Sequence, residues 1–146
     1  RDYDERRRHA TRFNYKLTDI QAALGRSQLR RLPAMLARRA AVAARYRSRW
    51  AALPVGLPVA DDSRTHVYHR FVLTCRAAAA SAVRRLAGFG VTARRPVFQP
   101  IHWTLRLEGF PGAAHAYRHA LSVPIYPALT SQDVEGVIRA LQRTFA

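Results

Sequence analysis

Apolar positions along the chain change period several times, and each change marks an element. From Leu17 onward, Ile20, Ala23 and Leu24 fall on one face of a 3.6-residue repeat, with Ser27 and Gln28 continuing it. Thr18 stands ahead of that face and Gln21 three residues later, a capping-box pattern that predicts a helix start at Thr18. Pro33 interrupts the repeat and predicts a break, or the first turn of a second helix. That second helix is expected over about Ala34 to Leu53, turning Met35, Leu36, Val42, Tyr46, Trp50 and Leu53 inward. Its opposite face carries Arg38, Arg39, Arg45, Arg47 and Arg49, which are expected in water.

The breaker cluster PVGLP, Pro54 to Pro58, ends the helical region. The β-branched and aromatic content of His66 to Thr74 then predicts a strand. Ser81 to Phe89 predicts a short helix that stops at a turn on Gly90. Val91 to Phe98 is expected extended, with Pro96 confining it to a sheet edge or a loop. Leu121 to Pro127 predicts another short extended piece. The last helix is the best signalled: Thr130 or Ser131 caps it, and Asp133 and Glu135 sit in its first turn. Val134, Val137, Ile138, Leu141 and Phe145 form its apolar stripe. The expected fold class is α+β: two lead-in helices, then a small antiparallel sheet packed with helices. The expected division is 1–53, a charged lead-in with two helices, and 54–146, a small α+β domain.

Composition narrows the function classes. The 146 residues suffice for one domain with a real core but are short for two. Hydrophobic residues at 49% against charged residues at 23% describe a globular chain rather than a disordered one. No apolar run approaches the roughly 20 residues of a membrane-spanning helix. The opening RDYDERRRHATR has no apolar stretch to make it a secretory signal. A lone cysteine, Cys75, excludes an internal disulfide and offers no cysteine cluster for zinc. A cytoplasmic protein is expected.

The net charge of +16 invites a nucleic-acid partner. Against that, Lys16 is the one lysine among 25 basic residues, and the arginines are spread along an alanine-rich chain. A solvated basic surface explains such a pattern, and charge alone supports only non-specific binding. Nucleic acid is therefore not the expected partner.

Complete catalytic motifs do not occur. His115 and His119 would share a helix face, but without a carboxylate or an HExxH pattern they read as surface histidines. His66 and His69 flank a strand start, where packing or hydrogen bonding explains them as well as ligation does. There is no GxSxG, no GxGxxG and no Walker loop. Two segments stand out instead. RRPVFQPIH, Arg94 to His102, is stiffened by Pro96 and Pro100 and presents two arginines and a histidine. It suits a phosphate or carboxylate ligand, or it is an exposed loop whose prolines fix its path. In FNYK, Phe13 to Lys16, Asn14 either bonds backbone ahead of the helix or reaches a ligand near its N-terminus.

Taken together and in order, several segments resemble the PLP-dependent sugar aminotransferases of the DegT/DnrJ/StrS type. They are FNYKLTDIQAALGRSQLRRL, ARRAAVAARY, HVYHRFVL, GVTARRPVFQPIH, FPGA and LSVPIYPALTSQDV. The RPxFxPxH form from Arg95 to His102 resembles the perosamine synthase-like branch, which acts on 4-keto-6-deoxy nucleotide sugars. The resemblance matches the C-terminal part of such an enzyme. The Schiff-base lysine, the acid at the pyridine nitrogen and the stacking aromatic belong to a preceding domain, and Lys16 does not replace that lysine. The resemblance implies that Asn14 hydrogen-bonds the PLP phosphate of a neighbouring subunit and that Lys16, in the same element, borders that cofactor. It implies that Arg95 and His102, with His69 as a further member, bind the nucleotide-sugar.

One residue more than the family spacing separates Gly90 from Arg95, so Arg94 and Arg95 compete for one position. The resemblance further implies a homodimer or pairing with a chain that carries the cofactor domain, and a chain incomplete for catalysis alone. The competing classes are a basic module binding nucleic acid or an acidic partner, and a domain that docks on intact aminotransferase subunits.

Overall fold

The computed structural model describes residues 15–59, 61 and 63–146; Asn14 lies outside them. Among the described residues five helices and three strands follow one another: α1 (Asp19–Trp50), β1 (Val55–Gly56), β2 (Phe71–Cys75), α2 (Ala79–Gly88), α3 (Ile101–Thr104), α4 (Pro111–His119), β3 (Ala120–Val123) and α5 (Ser131–Phe145). This is the expected α+β class. The chain divides into two compact units, one ending at Pro33 and one running from Ala34 to Ala146.

In the first unit the predicted helix start holds. The Thr18 N–H donates to Gln21 Oε1 at 2.9 Å, and the Gln21 N–H donates to Thr18 Oγ1 at 3.3 Å. The apolar face behind it is open, with Ile20 83% and Leu24 62% exposed. An apolar stripe records a face that gains from being covered, and the described residues leave it open. Pro33 was expected to end this helix, yet α1 continues through it. A proline inside a helix removes one hydrogen bond and costs about 3 kcal/mol. Here it stands where the packed half of α1 begins, and that half offsets the loss with four buried residues, Val42, Ala43, Tyr46 and Trp50.

The second unit has its core where those four meet the sheet. Tyr46 and Trp50 stack at 4.3 Å, and Phe71 meets both edge-on, at 5.4 and 5.8 Å. The Tyr46 hydroxyl donates to the Pro124 carbonyl at 2.9 Å. Burial pushes that phenol's pKa far above its ordinary value, and nearby Tyr126 adds to the rise. The sheet order is β1-β2-β3, antiparallel throughout, with Phe71 opposite Val123 and Leu73 opposite Leu121. Phe71, Leu73 and Cys75 are buried, alternating with Val72 and Thr74.

The strand starts later than His66. There the Tyr68 N–H bonds the His66 ring at 2.9 Å and Tyr68 adopts a φ of 49°, a local arrangement that competes with sheet pairing. The stretch Val91 to Phe98 is no strand either: Arg94 alone pairs, as an isolated bridge to Ser122. β3 ends before Pro124, which has no N–H to give the ladder. Helix α5 matches its sequence signal closely. Thr130 is the N-cap and forms a capping box with Asp133, whose N–H donates to Thr130 Oγ1 at 3.1 Å. Hydrogen bonds from the Thr130 hydroxyl, and then from its N–H, hold the Asp133 carboxyl below the usual range.

The arginine face of α1 is only partly wet, which corrects the expectation. Arg38, Arg39 and Arg47 are half-buried and serve as clamps on main-chain carbonyls. Arg38 donates to Leu129 O at 2.7 Å, and Arg47 to Pro58 O. Arg39 Nη1 reaches Tyr68 O, His69 O and Ile125 O at 3.0 to 3.2 Å. Arg45 lies 2.8 Å from Glu135 in α5, and Arg49 4.0 Å. The Arg45 contact is an ion pair without hydrogen-bond alignment.

Candidate substrate-binding site

The stiff loop is launched by the end of α2. Gly90, with a φ of 76°, lets the Val91 N–H reach back to Leu86 O and its own N–H to Ala87 O, both at 3.0 Å. This double bond pattern caps the helix and needs a left-handed residue, which glycine supplies without strain. The chain then meets β3: the Arg94 N–H donates to Ser122 O at 3.0 Å, and the Ser122 N–H to Arg94 O at 2.7 Å.

After that bridge Arg94 and Arg95 part ways. The Arg95 guanidinium lies 4.5 Å from the centre of the Tyr117 ring, a cation–π distance. Tyr117, from α4, donates its hydroxyl to Phe98 O at 2.9 Å and meets Trp103 edge-on at 4.9 Å. Pro100 is buried and starts α3, which sinks His102 to 7% exposure. The His102 ring lies 5.7 Å from Trp103 and 5.2 Å from Phe110. Arg95 and His102 therefore belong to one ring cluster, linked through Tyr117 and Trp103. No hydrogen-bond partner for the His102 ring occurs among the described residues.

His69 is not part of this cluster. It is exposed and lines a smaller cavity of about 240 Å³ with Arg39, Arg70 and Tyr126. Its carbonyl is one of the three that Arg39 holds. Lys16 is exposed in the segment ahead of α1. His115 and His119 do share a face of α4, with stacked rings 4.1 Å apart, and His119 Nδ1 lies 2.9 Å from Cys75 O.

A larger cavity of about 580 Å³ adjoins the smaller one along β3. The two share Arg70, Ser122, Val123 and Tyr126. Arg94 and Arg139 enter from the bridge and from α5. Sequence reasoning did not single out Arg70, Ser122 or Arg139. The one available signal was the ambiguous register of Arg94 against Arg95, and the structure separates them: Arg94 faces the cleft and Arg95 the aromatic cluster.

Comparison with known proteins agrees with this architecture. Residues 1–142 match the DegT/DnrJ/EryC1/StrS aminotransferase family. The spore coat polysaccharide biosynthesis protein SpsC of Bacillus subtilis is 30% identical across 89% of this chain and 37% of its own length. Among solved structures, the aminotransferase TlmJ from Streptoalloteichus hindustanus superimposes with a TM-score of 0.80 at 30% identity, over 86% of this chain and 36% of that one. DesV of S. venezuelae, solved with a ketimine intermediate, gives 0.79 at 28% identity, over 94% and 41%. The chain thus spans little more than a third of each relative. No helix among the described residues is long and apolar enough to cross a membrane.

Proposed function

Because the chain belongs to the DegT/DnrJ/EryC1/StrS aminotransferase family, we propose that it is the small C-terminal domain of a nucleotide-sugar aminotransferase and supplies the substrate side of its site. Enzymes of this family are PLP-dependent, and PLP supplies the electron sink through which an amino group passes to a keto-sugar.

The residues described here do not fit the whole cofactor. A ring-holding lysine needs an enclosed site with a carboxylate for the pyridine nitrogen. Lys16, the sole lysine, lies exposed ahead of α1, and neither cavity on β3 contains a lysine. Asp133, the carboxylate on the larger cavity, is engaged with Thr130. The chain's own part in the reaction is therefore binding.

In this reading Arg95 and His102 hold the nucleotide-sugar, with His69 as a further contact, and the sugar is a 4-keto-6-deoxyhexose. Arg95 offers a planar fork for a phosphate and His102 a ring nitrogen for a sugar hydroxyl. Asn14 reaches the phosphate of PLP held by a neighbouring subunit, and Lys16 lies beside that cofactor. Residues 1–53 connect to the cofactor domain and 54–146 form the binding domain. The assembly is a homodimer, or a pair with a chain carrying the cofactor domain, and it works in the cytoplasm.

The observation that carries this reading is the His102 ring: packed through Trp103 and Tyr117 to the Arg95 guanidinium, with ring nitrogens that have no partner among the described residues and are still reachable from outside. Ring nitrogens that are unpaired and reachable can bond a ligand's hydroxyl without first giving up a protein partner. Titration calorimetry with a nucleotide-linked 4-keto-6-deoxyhexose tests it. Binding that weakens about tenfold in Arg95→Gln and in His102→Gln is expected, as for a lost charged or buried hydrogen bond. Absence of binding would overturn the reading, as would tight binding of duplex DNA at physiological salt, the mark of a nucleic-acid module.

A further inference from the structure

Helix α4 buries none of its nine residues, yet it carries Tyr117 to the Arg95 guanidinium. Two of its side chains tie it to the rest of the second unit. The Tyr117 hydroxyl bonds Phe98 O, and His119 Nδ1 lies 2.9 Å from Cys75 O at the end of β2.

The second of these ties fixes the chemistry of the His119 ring. A carbonyl oxygen only accepts, so a neutral His119 carries its hydrogen on Nδ1 and its lone pair on Nε2. Metal-binding histidines are held in this way, one ring nitrogen donating to a carbonyl or carboxylate while the other takes the ion. His115 stands one turn earlier on the same face, exposed, with its ring 4.1 Å from that of His119 and inclined to it by 16°. Two nitrogens bound at about 2.0–2.1 Å to one tetrahedral ion lie roughly 3.4 Å apart, so the two rings stand within reach of a single ion. Their planes must open for both lone pairs to meet it. The Cys75 carbonyl holds His119, and the exposed His115 is the ring that turns.

Among the described residues no carboxylate, thiol or third histidine completes the set. Water therefore fills the remaining coordination positions. Two imidazoles suit the late first-row ions Ni²⁺, Cu²⁺ and Zn²⁺, whereas Mg²⁺ and Ca²⁺ take oxygen ligands.

We propose that His115 and His119 form a two-histidine chelate for a late first-row divalent ion, and that the bound ion staples the C-terminal turns of α4. Neither histidine lines a cavity on β3, and the proposal is independent of the aminotransferase reading. An ion that binds only the formed helix stabilises it by mass action, which gives the site a structural readout besides binding.

The test is calorimetric titration of the full chain, prepared without a histidine tag, with NiCl₂ and separately with MgCl₂. One Ni²⁺ per chain is expected, with no Mg²⁺ binding. Affinity for Ni²⁺ should fall at least tenfold in His115→Gln and in His119→Gln. His66→Gln changes another exposed histidine, ahead of β2, and should alter binding less than twofold. His115 is exposed, and glutamine at 119 keeps an N–H for the Cys75 carbonyl, so both variants will fold. Amide hydrogen exchange within α4 should slow at saturating Ni²⁺ in the wild type and stay unchanged in His115→Gln. The proposal is overturned if Ni²⁺ does not bind, if the α4 variants lose no more than His66→Gln, or if exchange in α4 ignores the ion.

Discussion

Two sets of arginines, identical in the sequence, do different things in the fold. Arg38, Arg39 and Arg47 on α1 are half-buried and spend their donors on main-chain carbonyls of the segments that precede β2 and follow β3. Arg70, Arg94 and Arg139 surround a cleft and have no such partner among the described residues. The difference is one of geometry. A guanidinium close to unpaired carbonyls becomes part of the scaffold, because leaving those carbonyls buried and unbonded would cost about 1–3 kcal/mol each. A guanidinium beyond their reach keeps its hydration and its charge, and is available to a ligand. In so arginine-rich a chain, net charge says little about function and local partners say a great deal.

The sharpest way to break this contrast is to remove the most heavily used clamp. Arg39→Gln is expected to destabilise the fold by about 2–3 kcal/mol, since three carbonyls lose a charged donor. Denaturant unfolding of the second unit reads this directly, and a loss under 0.5 kcal/mol would place Arg39 with the surface arginines. Arg38→Gln removes a single such bond and should cost about 1–1.5 kcal/mol.

Thr130→Ala tests a scaffold contact of another kind. Loss of the N-cap should cost about 1 kcal/mol. It also removes the hydroxyl that depresses the Asp133 carboxyl. A depressed carboxyl stabilises the fold above its unfolded pKa, near 3.9, and that stabilisation fades as pH falls through the folded value. Wild type should therefore lose stability on acidification below about pH 4, and Thr130→Ala should lose less over the same window. Parallel pH profiles for the two proteins would contradict the capping account.

At the small end, Arg139→Gln should change stability by less than about 0.5 kcal/mol, the range of a surface substitution. A thermal melt that drops as far as that of Arg39→Gln would erase the distinction between the two sets.

Local signals in the sequence translated well into structure where they were self-contained. The Thr18–Gln21 pair and the Thr130–Asp133 box lie within one turn, so the residues that specify them are adjacent. Of the α5 stripe, Val134, Val137, Ile138 and Leu141 are buried and Phe145 is half-buried, while Ala140 and Thr144 are buried beside it. Helix α4 left no such trace. PGAAHAYRH buries none of its residues and so has no apolar period, although Pro111 at its first turn was a usable start signal. β1, only two residues long, is held by its pairing with Thr74 and Cys75 and has no pattern of its own.

The site divides the same way. Arg95 and His102 could be picked out because Pro96 and Pro100 mark a stiff loop, and the resemblance supplied their role. Their link through Tyr117 and Trp103 could not be read, because Tyr117 arrives from a helix without a signature. The cleft was illegible for a different reason. Arg70, Arg94, Ser122 and Arg139 come from four separate segments, and only the register of β3 against Arg94 brings them together.

The central claim is that this chain supplies binding groups and leaves the covalent hold on the cofactor to another domain. Adding PLP to the purified chain, removing the excess by dialysis and recording the absorbance of lysine-bound PLP tests it most directly. The account predicts that no such absorbance is retained, in the wild type or in Lys16→Ala. Retained absorbance that survives dialysis in the wild type and vanishes in Lys16→Ala would contradict it, because Lys16 would then hold the cofactor itself.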